Sequence, residues 1–443
     1  MSLSASTTPH RLVNAVRNAE VLMRTGAVTR VMPTFVEADG PRVPPGTICE
    51  IGVSVPALLG EVVQVSKDAV TLAPFGDVSA IAPGDRVCAG RTGSDIPVSD
   101  DMLGRAFDPL GRPVDGGSPL IQTGERWPLS GVRTSPLERV SPTEPLETGV
   151  RALDTLLTLG VGQRVGIFAG SGVGKTSLLS TLARHIEAEV CVLCLVGERG
   201  REAGEFWSGA LSDRARARST MVVATSDQPA ILRARSVLYA LAVSEYFRSR
   251  GARVLLLLDS VTRYALALRE IGLAAGEPPT LRAYTPSVFS ALPKVVERRG
   301  SLRNGGSITA IMTVLTETDE IDDPMAETMR ALLDGHFVLS RTLAEQGHFP
   351  AIDVPRSVSR VLQNVARPDA RKLAADAVAQ LSLYDTSRTL IESGLYVPGA
   401  QPALDRAIAL RPALLRFLQQ ASDEAALRQD ALGQLARLLE SHS

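Results

Sequence analysis

The sequence predicts an α/β protein with three parts: a small N-terminal β-barrel, a central domain with a mainly parallel sheet, and a helical C-terminal domain. Short β-rich runs separated by Pro and Gly turns fill residues 26–95, as expected for a barrel. Apolar strand-like runs then alternate with helix-like segments up to about Leu339, the pattern of a parallel sheet flanked by helices. Beyond Val361 the chain is rich in Ala, Leu and Arg and lacks strong strand runs, which indicates helices.

The length and composition of the chain limit the class of protein that it can be. The chain has 443 residues, of which 44% are hydrophobic and 21% are charged, as in ordinary globular proteins with more than one domain. It lacks the run of about 18 apolar residues that a membrane span needs, and residues 1–20 lack the apolar core of a secretory signal. We therefore expect a cytoplasmic protein. The net charge of −1 gives no long-range attraction to nucleic acid or anionic lipid.

The N-terminal part begins with a short segment, residues 1–25, in which residues 10–24 have the apolar spacing of an amphipathic helix. The barrel domain follows at residues 26–95. Its predicted strands are Ala27–Val31, Gly46–Ile51, Gly60–Val65, Ala69–Leu72 and Arg86–Ala89. Residues 103–148 are rich in Pro and Gly, so we interpret them as an extended connection into the central domain.

The central domain is predicted at residues 96–362 and the helical domain at 363–443. The predicted central strands are Val165–Phe168, Val190–Val196, Met221–Ala224, Val254–Leu258 and Ser307–Val314. A helix should follow Pro229, which suits a first turn. Cys191 and Cys194 have CxxC spacing, but they lie in an apolar run, and we expect a buried structural role for both.

The strongest motif is GIFAGSGVGKTSLL, Gly166–Leu179, because it joins a strand, a glycine-rich turn and a helix start. This order predicts a P-loop (RecA-like) domain in which backbone N–H groups and the helix N-terminus bind phosphate. Lys175 would reach the β- and γ-phosphates, and the Thr176 hydroxyl would ligate Mg²⁺. Ala169 departs from the usual first glycine and is tolerable if its φ is negative. The predicted nucleotide-binding residues of the loop are Gly170, Ser171, Gly172, Val173, Gly174, Lys175, Thr176 and Ser177.

Two acidic residues stand at the ends of other predicted strands. Asp259 ends the run VLLLLD and has the placement of a Walker B acid that holds the water shell of Mg²⁺. Glu198 ends the run VCVLCLVGE, where a carboxylate can orient and polarise an attacking water. The alternatives are a helix cap for Asp259 and a solvated loop acid for Glu198.

With these motifs in order, together with TSDQPA and LLLLDSVTRYA, the chain resembles the catalytic subunits of rotary ATP synthases and their relatives. The segments PSVFSALPKVVERRG and DPMAETMRALLDGHFVLSRTLAEQGHFPAIDVPRSVSRV look most like the type III secretion ATPases, which serve flagellar export or the virulence injectisome. The resemblance covers nearly the whole chain. It implies an ATP-hydrolysing enzyme with ATP and Mg²⁺ as ligands, at the cytoplasmic face of the export apparatus in the inner membrane.

The resemblance also assigns residues. Lys175, Glu198, Arg199 and Arg360 are implied to be catalytic, with Arg360 in SVSR entering the neighbouring subunit's site and Arg199 near the phosphates. Glu202 is implied to lie near Mg²⁺ with Thr176 and Asp259, and Phe349 to stack on adenine where relatives often have tyrosine. Pro355 interrupts the segment that leads to Arg360 and could alter how that arginine is presented.

The partners implied by the family are copies of this chain in a homohexameric ring, a stator-like regulator, a central stalk protein, the export gate and chaperone–substrate complexes. No nucleic acid and only peripheral membrane association are implied. The segment before Val28 is the expected docking site.

Two other functions share the predicted core fold. A rotary synthase subunit would carry a strongly acidic stretch in its C-terminal helices, and here only SDEAAL at residues 422–427 approaches one. A ring helicase on RNA would need basic and aromatic residues in the barrel, where Phe35 and Phe75 are the aromatic residues. Between the two export systems, DPMAETMRALLDGH and IDVPRSVSRV favour the injectisome.

Overall fold

The structure, a computed structural model, describes residues 23–52, 57–92, 94–120, 125–303, 305–316 and 323–441. The chain divides into two compact units, Met1–Ser94 and Asp95–Ser443. The helix predicted over residues 10–24 and the docking segment 1–25 lie outside the described residues as far as residue 22.

The first unit contains a closed barrel of six strands in the order β1-β2-β5-β4-β3-β6. Its strands are β1 (Thr25–Val31), β2 (Val36–Ala38), β3 (Thr47–Ile51), β4 (Leu58–Val65), β5 (Val70–Pro74) and β6 (Arg86–Thr92). Alternate residues point inward, as in β3, where Cys49 and Ile51 are fully buried and Glu50 between them is exposed. The predicted small barrel is confirmed, and the short strand β2 is an addition to it.

The second unit is built on a ten-stranded sheet that is mainly parallel. The strands after the barrel are β7 (Asp95–Val98), β8 (Arg105–Phe107), β9 (Glu125–Pro128), β10 (Arg139–Val140), β11 (Pro145–Leu146), β12 (Leu159–Gly160), β13 (Arg164–Ala169), β14 (Val190–Glu198), β15 (Ser219–Thr225), β16 (Arg253–Asp259), β17 (Gly300–Leu302), β18 (Ser307–Leu315), β19 (Gly335–Leu339) and β20 (Ile352–Ser359). The main path of the sheet runs β20-β19-β13-β18-β16-β14-β15-β8, and all neighbours on it are parallel except β19 and β20.

Helices cover the sheet and form the C-terminal part. They are α1 (Arg151–Thr155), α2 (Lys175–His185), α3 (Gly200–Glu205), α4 (Asp213–Ala217), α5 (Ala230–Ser249), α6 (Val261–Ala274), α7 (Pro286–Glu297), α8 (Pro324–Leu332), α9 (Arg341–Glu345), α10 (Leu362–Val365), α11 (Pro368–Glu392), α12 (Pro402–Leu418) and α13 (Arg428–Glu440). In the described ranges, none of these helices combines the length and the apolar composition that crossing a bilayer requires.

The central strands are apolar along their whole length because both faces of the sheet are covered. Every residue of β14 is buried, and its side chains alternate between two hydrophobic clusters, one on each face of the sheet. Cys191 belongs to one cluster and Cys194 to the other, and both are free thiols. Their predicted burial is confirmed. Since successive strand residues alternate in direction, positions three apart face opposite sides.

Two features of this unit add to the sequence interpretation. Residues 103–148 do more than connect, because β8 joins the sheet as an edge strand parallel to β15. The helices from Pro368 onward belong to the same compact unit as the sheet, and Leu381, Leu410 and Leu435 share one hydrophobic cluster with β13 and β14.

Candidate active site

A glycine-rich loop follows the carboxyl end of β13, as predicted. Gly172 and Gly174 have φ of +79° and +86°, the left-handed region that favours glycine, and Gly174 is the residue that precedes helix α2. Ala169, the last residue of β13, is not among the described residues with positive φ, so alanine is unstrained there. The Val173 side chain is buried in the core and can offer a ligand only its backbone.

Lys175 brings two acidic residues together. Its Nζ lies 2.5 Å from Oδ1 of Asp259 and 3.3 Å from Oε1 of Glu198. Asp259 ends β16 and Glu198 ends β14, and β18 separates β16 from β13. The carboxyl ends of parallel strands share one edge of a sheet, which is why these three side chains meet.

Two further residues complete this cluster and were not predicted. Thr313 on β18 donates to Oδ1 of Asp259 at 2.6 Å, and Nη1 of Arg263 lies 2.8 Å from Oε2 of Glu198. Arg263 also donates to the carbonyl oxygen of Gly197. It stands in the first turn of α6, directly after β16, so its place in the motif LLLLDSVTRYA was the available signal.

A cavity of about 1000 Å³ opens beside this cluster. Its described lining holds six cationic side chains against three acidic ones, which favours an anionic ligand. The cations are Lys175, Arg199, Arg263, Arg269, Arg282 and Arg341, and the acids are Glu198, Glu202 and Asp323. Gly170, Ser171, Thr176 and Ser177 line it as well. Arg199 is exposed and lies 3.7 Å from the half-buried Glu202 as an ion pair.

The residues predicted to hold Mg²⁺ only partly converge. Thr176 and Glu202 line the cavity, whereas Asp259 is buried behind Lys175. Among the described residues no group of three or more His, Cys, Asp or Glu side chains could hold a metal ion by itself. That arrangement fits Mg²⁺ in a nucleotide site, because this ion keeps several waters and takes few protein ligands besides phosphate oxygens. Oδ2 of Asp259 makes no hydrogen bond to the described residues and is left for such a water shell.

A second cavity, of about 310 Å³, adjoins the first at Gly174 and Ser177, which line both. Its lining is more apolar and includes Val150, Leu178 and Phe349. The Phe349 ring is 42% exposed, and a Cβ added to Gly174 would lie 3.1 Å from two of its carbons. An aromatic face next to a phosphate loop suits a planar base.

Arg360 lies apart from the other predicted residues of its own chain. It follows β20, which runs antiparallel to β19 and pairs Ser359 with Gly335 at the amino end of β19. The phosphate loop follows the carboxyl end of the parallel neighbour β13, so the two lie at opposite ends of the sheet. The Arg360 side chain is exposed, donates to the carbonyl of Arg330 at 3.1 Å and is absent from the cavity lining.

Pro355 is accommodated by an irregularity in β20. The pairing shifts between Asp353 opposite Val338 and Val358 opposite His336, so the strand bulges around the proline. The Ser357 hydroxyl bridges the bulge, accepting from Val338 N at 3.0 Å and donating to Asp353 O at 2.6 Å. The ladder resumes before Arg360, whose N–H donates to Asp334 O.

Models of known protein families match three successive parts of the chain. Residues 149–359 match the model of the ATP synthase alpha/beta family, nucleotide-binding domain, and residues 28–89 match the beta-barrel domain of that family. Residues 366–437 match the T3SS EscN ATPase C-terminal domain.

Relatives from two groups, the flagellar and the type 3 secretion ATPases, align with nearly the full length of this chain. A flagellum-specific ATP synthase of Bacillus subtilis is 42% identical over 96% of this chain and 98% of its own. A type 3 secretion system ATPase of Xanthomonas euvesicatoria is 42% identical over 92% of each chain. The assembled ATPase EscN of enteropathogenic E. coli superimposes with a TM-score of 0.89 at 40% identity, over 94% of this chain and 100% of that one. EscN in complex with its central stalk EscO gives a TM-score of 0.85 at 39% identity, over the same shares of the two chains.

Proposed function

The chain belongs to the ATP synthase alpha/beta family, among the type III secretion and flagellar-export ATPases, and from this we propose that it energises protein export by hydrolysing Mg·ATP at the Lys175 cluster. One observation carries the assignment of the site: Glu198 and Asp259 both lie within hydrogen-bond reach of Lys175, beside a cationic cavity. Loop, lysine and two strand-end acids are the parts that phosphoryl transfer needs.

Each part has a role in this proposal. The backbone N–H groups of residues 170–176 bind the phosphates, and Lys175 exchanges its contacts with the acids for the β- and γ-phosphate oxygens. Glu198, held by Arg263, aligns the attacking water. Thr176 and Asp259, with Glu202 nearby, would hold Mg²⁺, which would supply neutralisation of phosphate charge. Arg199 lines the cavity on the phosphate side, and Phe349 stacks on the adenine.

The position of Arg360 supports a site shared between subunits. It lies at the far end of the sheet from its own phosphate loop, so it can serve catalysis only from a neighbouring copy. Head-to-tail contacts of this kind close into rings, and we propose a homohexamer. EscN has been solved as an assembled ATPase and in complex with its central stalk EscO. These two structures support self-assembly and a stalk partner for this chain.

The remaining partners are proposed from the family alone: a stator-like regulator, the export gate and chaperone–substrate complexes. We propose that partners of this kind dock on the segment before Val28. The match of residues 366–437 to a secretion-specific C-terminal domain supports export over a rotary synthase or a helicase.

The injectisome assignment made from the sequence stays a proposal, since the relatives include flagellar and virulence ATPases at similar identity. Deletion of the gene separates the two. Loss of effector secretion with normal motility assigns the injectisome, and loss of motility assigns flagellar export.

Two substitutions test the chemistry. Lys175→Ala should abolish phosphate release while circular dichroism stays unchanged, because it removes the charge that holds the phosphates. Glu198→Gln should bind a fluorescent ATP analogue normally and hydrolyse ATP about 10² to 10⁴ times more slowly. Hydrolysis at the wild-type rate by Lys175→Ala would disprove the site, and parallel loss of binding and turnover in Glu198→Gln would make Glu198 structural.

A further inference from the structure

The arginines around the large cavity differ in what they contact. Four of them have a partner within the described part of the chain. Arg263 lies 2.8 Å from Glu198, Arg282 lies 3.0 Å from Asp323, Arg199 lies 3.7 Å from Glu202, and Arg269 stacks 5.8 Å from the ring centre of Tyr284. Arg341 makes no hydrogen bond, ion pair or ring contact through its side chain with any described residue, although it lines the same cavity. It is therefore a cation without a counter-ion from those parts of the chain.

The fold places Arg341 against the start of the phosphate loop. Strand β19 is the parallel neighbour of β13, with Val338 opposite Phe168. Arg341 follows the end of β19 as Gly170 follows the end of β13, so both lie just beyond the same edge of the sheet. A Cβ built on Gly170 would lie 3.6 Å from Nη2 of Arg341, which is van der Waals contact. The guanidinium thus stands at the beginning of the loop, whereas Lys175 stands at its end.

We propose that Arg341 is a further phosphate-binding residue, which contacts the phosphate chain of the nucleotide from the Gly170 side. The inference rests on the nucleotide site proposed above and adds a second cation to it. Guanidinium groups bind phosphate oxygens through two parallel N–H donors, which fixes orientation as well as charge. Arg341 is exposed and forms no ion pair with the described residues, so its contact with a ligand breaks none of those.

The contact between Arg341 and the phosphate chain can be isolated by comparing the affinities for nucleotides that carry one, two or three phosphates. Titration calorimetry with Mg²⁺ would compare AMP, ADP and the slowly hydrolysed analogue AMP-PNP on wild type, Arg341→Ala, Arg341→Gln and Arg341→Lys. A lost charge-assisted contact weakens binding about tenfold. We expect that loss for ADP or AMP-PNP, a smaller loss for AMP, and partial recovery in Arg341→Lys. Arg388→Ala is the matched control, since Arg388 is a half-buried arginine whose side chain pairs with Glu392 at 2.7 Å, outside the cavity.

Three outcomes are distinguishable. Unchanged affinities for all three nucleotides in Arg341→Ala, with wild type binding AMP-PNP, would overturn the role of Arg341 and leave the site intact. Equal weakening of AMP, ADP and AMP-PNP, together with a lower melting temperature without nucleotide, would also overturn it by making Arg341 structural. Failure of wild type itself to bind AMP-PNP would instead refute the proposed function.

Discussion

Oε2 of Glu198 and Nη1 of Arg263 are joined by an ion pair of 2.8 Å, and the other carboxylate oxygen of Glu198 faces Lys175 at 3.3 Å. The carboxylate side chain is only 9% exposed, and the two cations hold it from opposite sides. Its orientation therefore depends on Arg263 as much as on the strand that carries it. A carboxylate that aligns an attacking water must be held in one orientation, because a small misplacement lowers the reaction rate strongly.

The first prediction concerns Arg263. Arg263→Ala should lower kcat by about 10² with a smaller change in KM, because it frees the Glu198 carboxylate without removing a phosphate contact. Arg263→Lys should recover part of the loss. Arg233→Ala is the control, since Arg233 also lies beside Gly197 but pairs with Glu270 at 2.6 Å. Steady-state phosphate release measures all three, and a kcat near wild type in Arg263→Ala would contradict the positioning role.

The second prediction concerns Phe349. Loss of aromatic stacking costs about 1 to 3 kcal/mol per base, so Phe349→Ala should raise the Kd for ATP by a factor between about 5 and 150. Phe349→Tyr should bind as wild type, because it keeps the ring face. Binding of inorganic pyrophosphate, which has no base, should be the same in all variants. If pyrophosphate binding fell together with ATP binding, the ring would be supporting the loop at Gly174 instead.

The third prediction concerns Arg360. Arg360→Ala should bind nucleotide normally and lose about 10³ in kcat, the scale of an arginine supplied by a neighbour. Randomly mixed Lys175→Ala and Arg360→Ala subunits, each inactive alone, should regain activity, because about a quarter of the interfaces would combine an intact loop with an intact arginine. Wild-type turnover by Arg360→Ala alone, in a sample that sedimentation shows to be assembled, would remove the shared site.

The fourth prediction contrasts two consecutive arginines. Arg298 makes two hydrogen bonds to the buried Glu245, at 2.8 and 3.0 Å, and a third to Leu129 O. Arg299 is fully buried, its Nε and Nη2 have no hydrogen-bond acceptor among the described residues, and burial lowers its pKa to about 9. Because that pKa is still above 7, the side chain is charged at neutral pH and the folded state carries its desolvation cost.

Opposite effects on stability should follow. Arg298→Met should destabilise the protein by about 3 to 5 kcal/mol, because it leaves the buried Glu245 without its arginine and with a 3.4 Å hydrogen bond from Trp127 Nε1. Arg299→Met should raise stability by about 1 kcal/mol or more, because it replaces a desolvated cation by an apolar side chain. Thermal unfolding near pH 7 measures both. A lower melting temperature in Arg299→Met would contradict the assignment of Arg299 as a destabilising charge.

The sequence was sufficient for the strands that are apolar throughout. The runs at Val190–Val196, Val254–Leu258 and Ser307–Val314 correspond to β14, β16 and β18, since strands covered on both faces keep few polar residues. β20 was not predicted, because its sequence IDVPRSVS contains a proline and polar residues at a bulged edge. β8 was missed because three residues in a Pro- and Gly-rich stretch carry no periodic signal.

The candidate site likewise contains residues that the sequence predicts and residues that it does not. Lys175 was predictable because it closes a recognisable glycine-rich loop at the start of a helix, and Glu198 and Asp259 were predictable because each ends a recognisable strand. Arg263, Thr313 and Arg341 were not, because their roles depend on which strands are neighbours. Thr313 reaches Asp259 only since β18 lies next to β16, and Arg341 reaches Gly170 only since β19 lies next to β13. The order of strands in the sheet brings together residues that are far apart in the chain. The hydrophobic periodicity of the sequence does not predict that order.

The buried cysteines give the molecule an internal set of chemical reporters. Burial raises the pKa of Cys49 to about 11, and that of Cys191 and Cys194 to about 12, so these thiols react with alkylating reagents only when the surrounding structure opens. Cys49 lies inside the barrel, and the other two lie on opposite faces of the sheet in the second unit. The half-buried Cys88 is an internal reference for the reagent. Mass spectrometry of a labelled sample would therefore read, peptide by peptide, how often each unit of the wild-type protein exposes its interior, without an added dye or an engineered probe.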